Sequence, residues 1–247
     1  MKTIISSLFI FSILSISACK KESDDPVTVP VEFPETTYES LGGYDDFGKP
    51  NNLLAKDPIS TNLLSFINTT LPEKEDLRTT HPELLNSPTI GDIVITQQSD
   101  VFITFVSEGT AYTNTFAFYT YPTNQPPASP SDIKKIQYVF PNAGSETPLR
   151  PGDKVKIGSF NVGTSIGFVI LKDAWKLATK TINNKAVHFC SNDVLNPEVD
   201  PKLKKHAVLI AYPAENKVLI GFEDIDRTSP DCDHDFNDVV VYATVTP

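Results

Sequence analysis

Val218–Val245 reads VLIGFEDIDRTSPDCDHDFNDVVVYATV: two apolar, β-branched runs around an acidic insert. Val218–Phe222 and Val239–Val245 carry the composition of paired strands. The insert, Glu223–Asp238, holds seven carboxylates: Glu223, Asp224, Asp226, Asp231, Asp233, Asp235 and Asp238. With 31 acids in 247 residues, a window of that length should hold about two. Only Arg227 and, if protonated, His234 offset this charge locally. Two readings are open, a fully solvated turn or a loop wrapped around a cation. The apolar flanks favour the second, because they hold the acids on a loop anchored in a core. The matching hard cation is Ca²⁺, which takes six to eight oxygen ligands.

Upstream, short apolar runs recur between turn-forming residues. Asp92–Thr96, Val101–Val106, Thr115–Tyr121, Ile133–Phe140, Lys154–Ile157, Ser165–Leu171, Ala186–Phe189 and His206–Tyr212 complete about ten strands. No long helices alternate with them, so the fold class is mainly β: an antiparallel β-sandwich, jelly-roll-like, not α/β. The one helix expected lies earlier. Asp57 is placed as its N-cap, Pro58 at its first position, and Leu63, Leu64, Phe66 and Ile67 on its apolar side. Leu71-Pro72 ends it, and Glu73–Pro88 reads as a loop lying on the domain.

The chain begins with Met1-Lys2, then an apolar stretch, Ile4–Ile16, too short for a bilayer span of about 20 residues. Ser17-Ala18-Cys19 follows, so the segment is a signal peptide with a lipobox-like end, cleaved before a lipidated Cys19. Lys20–Asp25 is similar to the acidic export signal of surface lipoproteins in Bacteroidota. The Pro-rich stretch to Glu35 reads as an extended tether, reaching roughly 55 Å at about 3.3 Å per residue. The expected organisation is therefore a signal peptide (1–18), a tether (19–35), a helix-and-loop segment (36–90) and a β-sandwich domain (91–247). The mature chain carries 20 basic against 31 acidic residues, a net −11. That balance argues against nucleic acid and against anionic lipid headgroups as partners. Membrane attachment rests on acyl chains at the outer membrane, with display on the cell surface or on the periplasmic face.

Several phrases carry a family resemblance: Val139-Phe140-Pro141-Asn142-Ala143, Leu149-Arg150-Pro151-Gly152-Asp153, Gly163–Phe168 before Trp175, and Gly221-Phe222-Glu223-Asp224 with Asp233–Val240. Their order resembles the LruC-type domain of Bacteroidota surface lipoproteins, which overlaps a domain of unknown function, the DUF4114 family. The resemblance covers most of Tyr112–Pro247. It implies a β-rich extracellular module with a Ca²⁺ site, and no established reaction or ligand.

Within the insert, residues two apart share a face if the chain is extended. Asp231, Asp233, Asp235 and Asn237 would then point one way and Phe236 into the core. Glu223, Asp224, Asp233, Asp235 and Asp238 form the expected ligand set, joined by Asp231 and Asn237. The spacing is not that of an EF-hand, which needs a Gly at the sixth position and a Glu at the twelfth.

Cys190 and Cys232 are the two cysteines left after lipidation, and a bridge between them would clamp the insert. Closing those 42 residues would stabilise by about 4 kcal/mol in the chain-entropy description. A transition-metal site from His188, Cys190, Cys232 and His234 is the competing use, although its spacing is not that of a zinc site.

No catalytic residue is nominated. There is no G-x-S-x-G and no Lys in a phosphate-loop position after Gly163. Trp175 reads as core and the histidines as ordinary structural residues. The expected role is binding, adhesion or envelope structure, with a glycan or a surface protein as partner. The alternative is a polysaccharide-acting enzyme or a glycan-capture component of a polysaccharide-utilisation system. Replacing Cys19 with Ala is expected to abolish incorporation of labelled palmitate and release the chain from the membrane fraction; retained label would exclude Cys19 as the acylated residue.

Overall fold

The computed structural model describes residues 31–86 and 92–247. The expected signal peptide, Cys19 and most of the tether lie outside the described residues. The strands are β1 (Thr37–Ser40), β2 (Ile93–Val94), β3 (Ser99–Glu108), β4 (Thr115–Pro122), β5 (Lys135–Phe140), β6 (Lys154–Phe160), β7 (Thr164–Leu171), β8 (Trp175–Lys176), β9 (Thr181–Ile182), β10 (His188–Cys190), β11 (Ala207–Tyr212), β12 (Lys217–Phe222) and β13 (Val239–Thr246). The helices are α1 (Thr61–Thr70), α2 (Leu77–Thr80) and α3 (Pro82–Asn86). All ten expected strands form, with ends shifted by up to three residues.

Two sheets face each other. One runs β1-β5-β4-β7-β10, with β2 also on β7; the other runs β11-β12-β13-β3-β6. Every pairing is antiparallel except β1 with β5. β2 and β10 share the outer edge of β7, pairing at Ile166 and at Val169–Leu171 respectively.

Strand periodicity divides each sheet cleanly. Ile166, Phe168 and Ile170 of β7 and Val239, Val241 and Ala243 of β13 point into the space between the sheets. Phe116 is the hub there: its ring lies 5.8 Å from Phe168 and 6.0 Å edge-on from Phe222. Such geometries suit aromatic quadrupoles.

The outward faces are buried as well. Val169 and Leu171 pack under Phe33, Ile133 and Leu195. Leu219, Val240 and Tyr242 pack under Leu63, Ile67, Leu71 and Leu77. A strand covered on both faces needs no polar side, which is why β7 and β13 read as near-continuous apolar runs. Gly167 has a local reason: a Cβ there would stand 2.2 Å from the ring of Tyr119, its cross-strand partner.

Three expectations are corrected. First, Ser60 caps α1, accepting from the Leu63 N–H at 3.0 Å. Asp57 is engaged elsewhere: its carboxylate accepts from the Tyr242 hydroxyl at 3.0 Å and its N–H donates to the Gly152 carbonyl. Second, residues 31–35 pack instead of extending as the end of a tether. Phe33 is buried and stacks on His188 at 4.4 Å. Third, the segment after Pro72 is not a plain loop; it forms α2 and α3 and buries Leu77.

Residues 36–86 thus supply an edge strand to one sheet and the cover of the other. Among the described residues, no helix is long and apolar enough to cross a membrane. The helix cover separates two neighbouring leucines: Leu63 is fully buried and Leu64 is 45% exposed. Leu63→Ala is expected to cost about 2–5 kcal/mol in urea unfolding and Leu64→Ala under about 1 kcal/mol; equal costs would contradict this packing.

Candidate metal centre

β12 and β13 pair with Phe222 opposite Val239, so the insert leaves and re-enters the sheet at one place. Glu223 and Asp238 follow immediately on either side. Gly221 lets the loop fold back over its own strand: a Cβ there would stand 2.4 Å from the Phe236 carbonyl oxygen and 2.6 Å from Leu71 Cδ1. Phe236 is fully buried under α1, the anchor expected of it.

The returning arm is not extended. His234 and Phe236 adopt left-handed backbone, with φ of 61° and 58°. This alternation still converges Asp233 and Asp235, leaves Asp231 out of the cluster and turns the Asn237 side chain towards Leu71. Carboxylate oxygens of Glu223, Asp233 and Asp235 all lie within 4.8 Å of one another. Glu223 and Asp235 are buried and Asp233 is exposed.

The other expected ligands have different places. Asp238 accepts from the Asp224 N–H at 2.7 Å and lies beside Glu223. Asp224 faces the β3–β4 connection, where it accepts from the Thr110 hydroxyl and the Asn114 amide. Asp231 is exposed, its N–H directed at Ser229 Oγ. Asn237 turns its amide towards the Leu71 carbonyl. Of the seven residues, Glu223, Asp233 and Asp235 converge, Asp238 borders them, Asp224 and Asp231 lie apart, and Asn237 meets Asp235 Oδ1 through its N–H at 3.1 Å.

Buried carboxylates repel each other and resist ionisation. Glu223 is pushed up to about 7, first by burial, and further by Asp233, Asp235 and Asp224, against the pull of a hydrogen bond with Asp238. Asp238 is raised by burial, then by Asp224 and Glu223, and Asp235 by burial. The Glu223–Asp238 contact requires a proton, since ionised carboxylates only accept. By distance and angle neither oxygen of Glu223 meets a hydrogen-bond partner, and the groups beside it are the Asp238 carboxyl and the weakly donating Cys232 thiol. A divalent cation would satisfy these oxygens without any proton.

The local counter-charge is Arg227, 3% exposed. Its Nη1 donates to the Lys205 carbonyl at 2.9 Å and its Nε to His234 Nδ1 at 3.2 Å, with the guanidinium over the Phe236 ring. His234 does not add a second charge. Burial, then Arg227 and Arg78, lower its pKa to about 4, so it accepts as a neutral imidazole.

The disulfide is not formed. Cys190 and Cys232 are separate buried thiols. Cys190 lies under the first sheet, its N–H and carbonyl both bound by the Asn196 side chain. Cys232 sits in the insert with Sγ 3.1 Å from His234 Nδ1. The mixed His/Cys metal site does not assemble either, because His188 is held by Tyr38 and the Ala186 carbonyl.

Sequence reasoning missed the groups that hold the loop from outside. Lys74 N–H donates to Asp235 Oδ2 at 2.8 Å, and Leu77 N–H to the His234 carbonyl at 3.0 Å. His206 Nδ1 donates to the Glu223 carbonyl at 2.9 Å, and its Nε2 lies 2.6 Å from Glu198. Backbone donors leave no mark in composition. Thr110 and Asn114 are common residue types far from the insert.

Comparison with known proteins covers roughly the last third of the chain. Residues 160–246 match a family model described as Domain of unknown function (DUF4114). The matched stretch runs from the end of β6 through β13 and contains the whole acidic insert. No curated protein and no solved structure matches the chain.

Glu223 carries its proton more tightly folded than unfolded, so its contribution to stability is full below the ordinary glutamate range. That contribution is lost as pH rises through the folded value. Chelated protein should therefore melt at progressively lower temperature between about pH 5 and about pH 8, and saturating Ca²⁺ should remove the decline. A flat profile in chelator would contradict the burial of these carboxylates.

Proposed function

We propose that this chain is a lipid-anchored envelope protein of the LruC type whose β-sandwich is held together by Ca²⁺ and serves binding, adhesion or envelope structure. The observation that carries the ion is the convergence of Glu223, Asp233 and Asp235, two of them buried, with no well-placed hydrogen-bond partner on either Glu223 oxygen. The residues fit a hard cation: the donor set is all carboxylate oxygen. The ion would bind the two arms of the insert together, since Glu223 leaves β12 and Asp233 and Asp235 belong to the returning arm. Asp233, the exposed member, is the one on which a partner or glycan would meet the ion.

The anchor rests on the lipobox-like Ser17-Ala18-Cys19 and the export-like Lys20–Asp25. Both support a location outside the cytoplasm, where free Ca²⁺ is plentiful. The surface of the outer membrane is the proposed location, and a glycan or a surface protein the proposed partner.

EGTA is expected to lower the melting temperature by roughly 5–10 °C, for a site loaded about a hundredfold above its Kd. Ca²⁺ should restore it and Mg²⁺ should not, because Mg²⁺ demands a tighter octahedron and keeps its waters. Asp235→Asn should abolish the response and Asp231→Asn should preserve it. An unchanged melt across millimolar Ca²⁺ would overturn the ion, and a response lost in Asp231→Asn would overturn the ligand set.

A further inference from the structure

A second polar site lies outside the insert, and its pieces come from four parts of the chain. Asp92 precedes β2, Tyr121 ends β4, and Ser191 and Asp193 follow β10. Lys205 precedes β11. With Pro126 and Asn192 they line an open cavity of about 270 Å³. It is smaller than the usual range for drug-sized ligands, about 300–1,000 Å³.

The walls are organised. Asp92 is 7% exposed, and its oxygens accept from Tyr121 Oη and Ser191 Oγ, each at 2.5 Å. Ser191 Oγ in turn accepts from the Phe168 N–H at 2.8 Å, which fixes the direction of its proton. Lys205 is 7% exposed and places Nζ 3.1 Å from Asp193 Oδ2. Asp193 Oδ1 is buried and accepts no hydrogen bond. Buried polar atoms of this kind ordinarily have a partner.

The charges select the ligand. An anion would meet two carboxylates, Asp92 and Asp193, and a cation would have to compete with Lys205, which is paired with Asp193. A neutral polyhydroxylated ligand conflicts with neither. Its hydroxyls donate to carboxylate lone pairs and accept from the ammonium. Tyr121 and Pro126 supply apolar surface for the carbon-bound face of a ring.

We infer that this cavity binds one neutral sugar unit, with Asp193 and Lys205 as the hydrogen-bonding pair and Tyr121 against the ring. The inference rests on the binding role proposed above but uses no carboxylate of the metal centre. The two are adjacent through the main chain, because the Lys205 carbonyl accepts from Arg227.

The test is saturation-transfer NMR on the full chain in Ca²⁺. The probes are glucose, galactose, mannose, xylose and N-acetylglucosamine, with galacturonate and glucosamine as charged controls. At least one neutral sugar should give a saturable signal, weakened about tenfold by Asp193→Ala and by Lys205→Met. Asp193 is partly exposed, so its variant carries the test if the lysine variant does not fold. Absence of saturable binding by every neutral sugar would overturn the site. So would binding unchanged in Asp193→Ala, or a charged control that binds more tightly than every neutral sugar. A melt with and without Ca²⁺ on the same sample separates the two proposals. A Ca²⁺-responsive protein that binds no sugar removes only this inference; sugar binding without a Ca²⁺ response removes only the ion.

Discussion

The antiparallel register that sets Phe222 against Val239 is the constraint on which the rest depends. It closes a sixteen-residue acidic excursion at a single point on the sheet. It also puts alternate side chains of β12 and β13 on opposite faces. Ile220, Phe222, Val239 and Val241 fill the space between the sheets, while Leu219, Val240 and Tyr242 turn out to meet α1. A one-residue slip would exchange those two sets and detach the insert from its anchor. Phe236 and Gly221 reinforce the register, because the loop can lie back on β12 only where that strand has no side chain.

The electrostatics of the insert run against the packing. Burial of Glu223, Asp224, Asp235 and Asp238 places four carboxylates in a small volume with one buried guanidinium. Arg227 does not touch them directly; it binds the Lys205 carbonyl, His234 and the face of Phe236. Its part is to tie the insert to the segment before β11. The carboxylates must therefore be relieved in another way, by protons or by a cation. Which of the two prevails depends on pH and on the ions of the compartment, so the stability of the fold is tied to where the chain resides.

Much of the fold was legible in the sequence, because strands with one inward face repeat a short apolar pattern between turn residues. β1, β8 and β9 were not. They are two to four residues long, and β1 (TYES) has no buried side to announce it. The helix was legible in its apolar side but not in its start. Asp57 has the right chemistry for a cap, and only the tertiary partners Tyr242 and Gly152 reveal that it is occupied. In the insert, Glu223, Asp233 and Asp235 could be named from charge density. The failure lay in assuming extended backbone, which put Asp231 and Asn237 on the same face. The left-handed residues at 234 and 236 leave little signal: His is among the types enriched in that region, but Phe is not. The cysteines misled for a simpler reason: two thiols in a chain expected to be exported suggest a bridge, but Cys190 is buried under the first sheet and Cys232 within the insert.

The stretch that matches a known family, residues 160–246, holds β7 to β13. In the folded molecule β7 lies beside β4 and β13 beside β3, both from outside that stretch. The cover of the acidic insert, from Leu71 to Leu77, is also outside it. A boundary of resemblance between sequences is thus not a boundary of cooperative folding. The matched stretch carries the acidic insert, and the rest of the described chain completes both sheets and helps to cover both outer faces. A chain cut at the edge of the match would leave β7 and β13 each short of one neighbour and the insert without its cover.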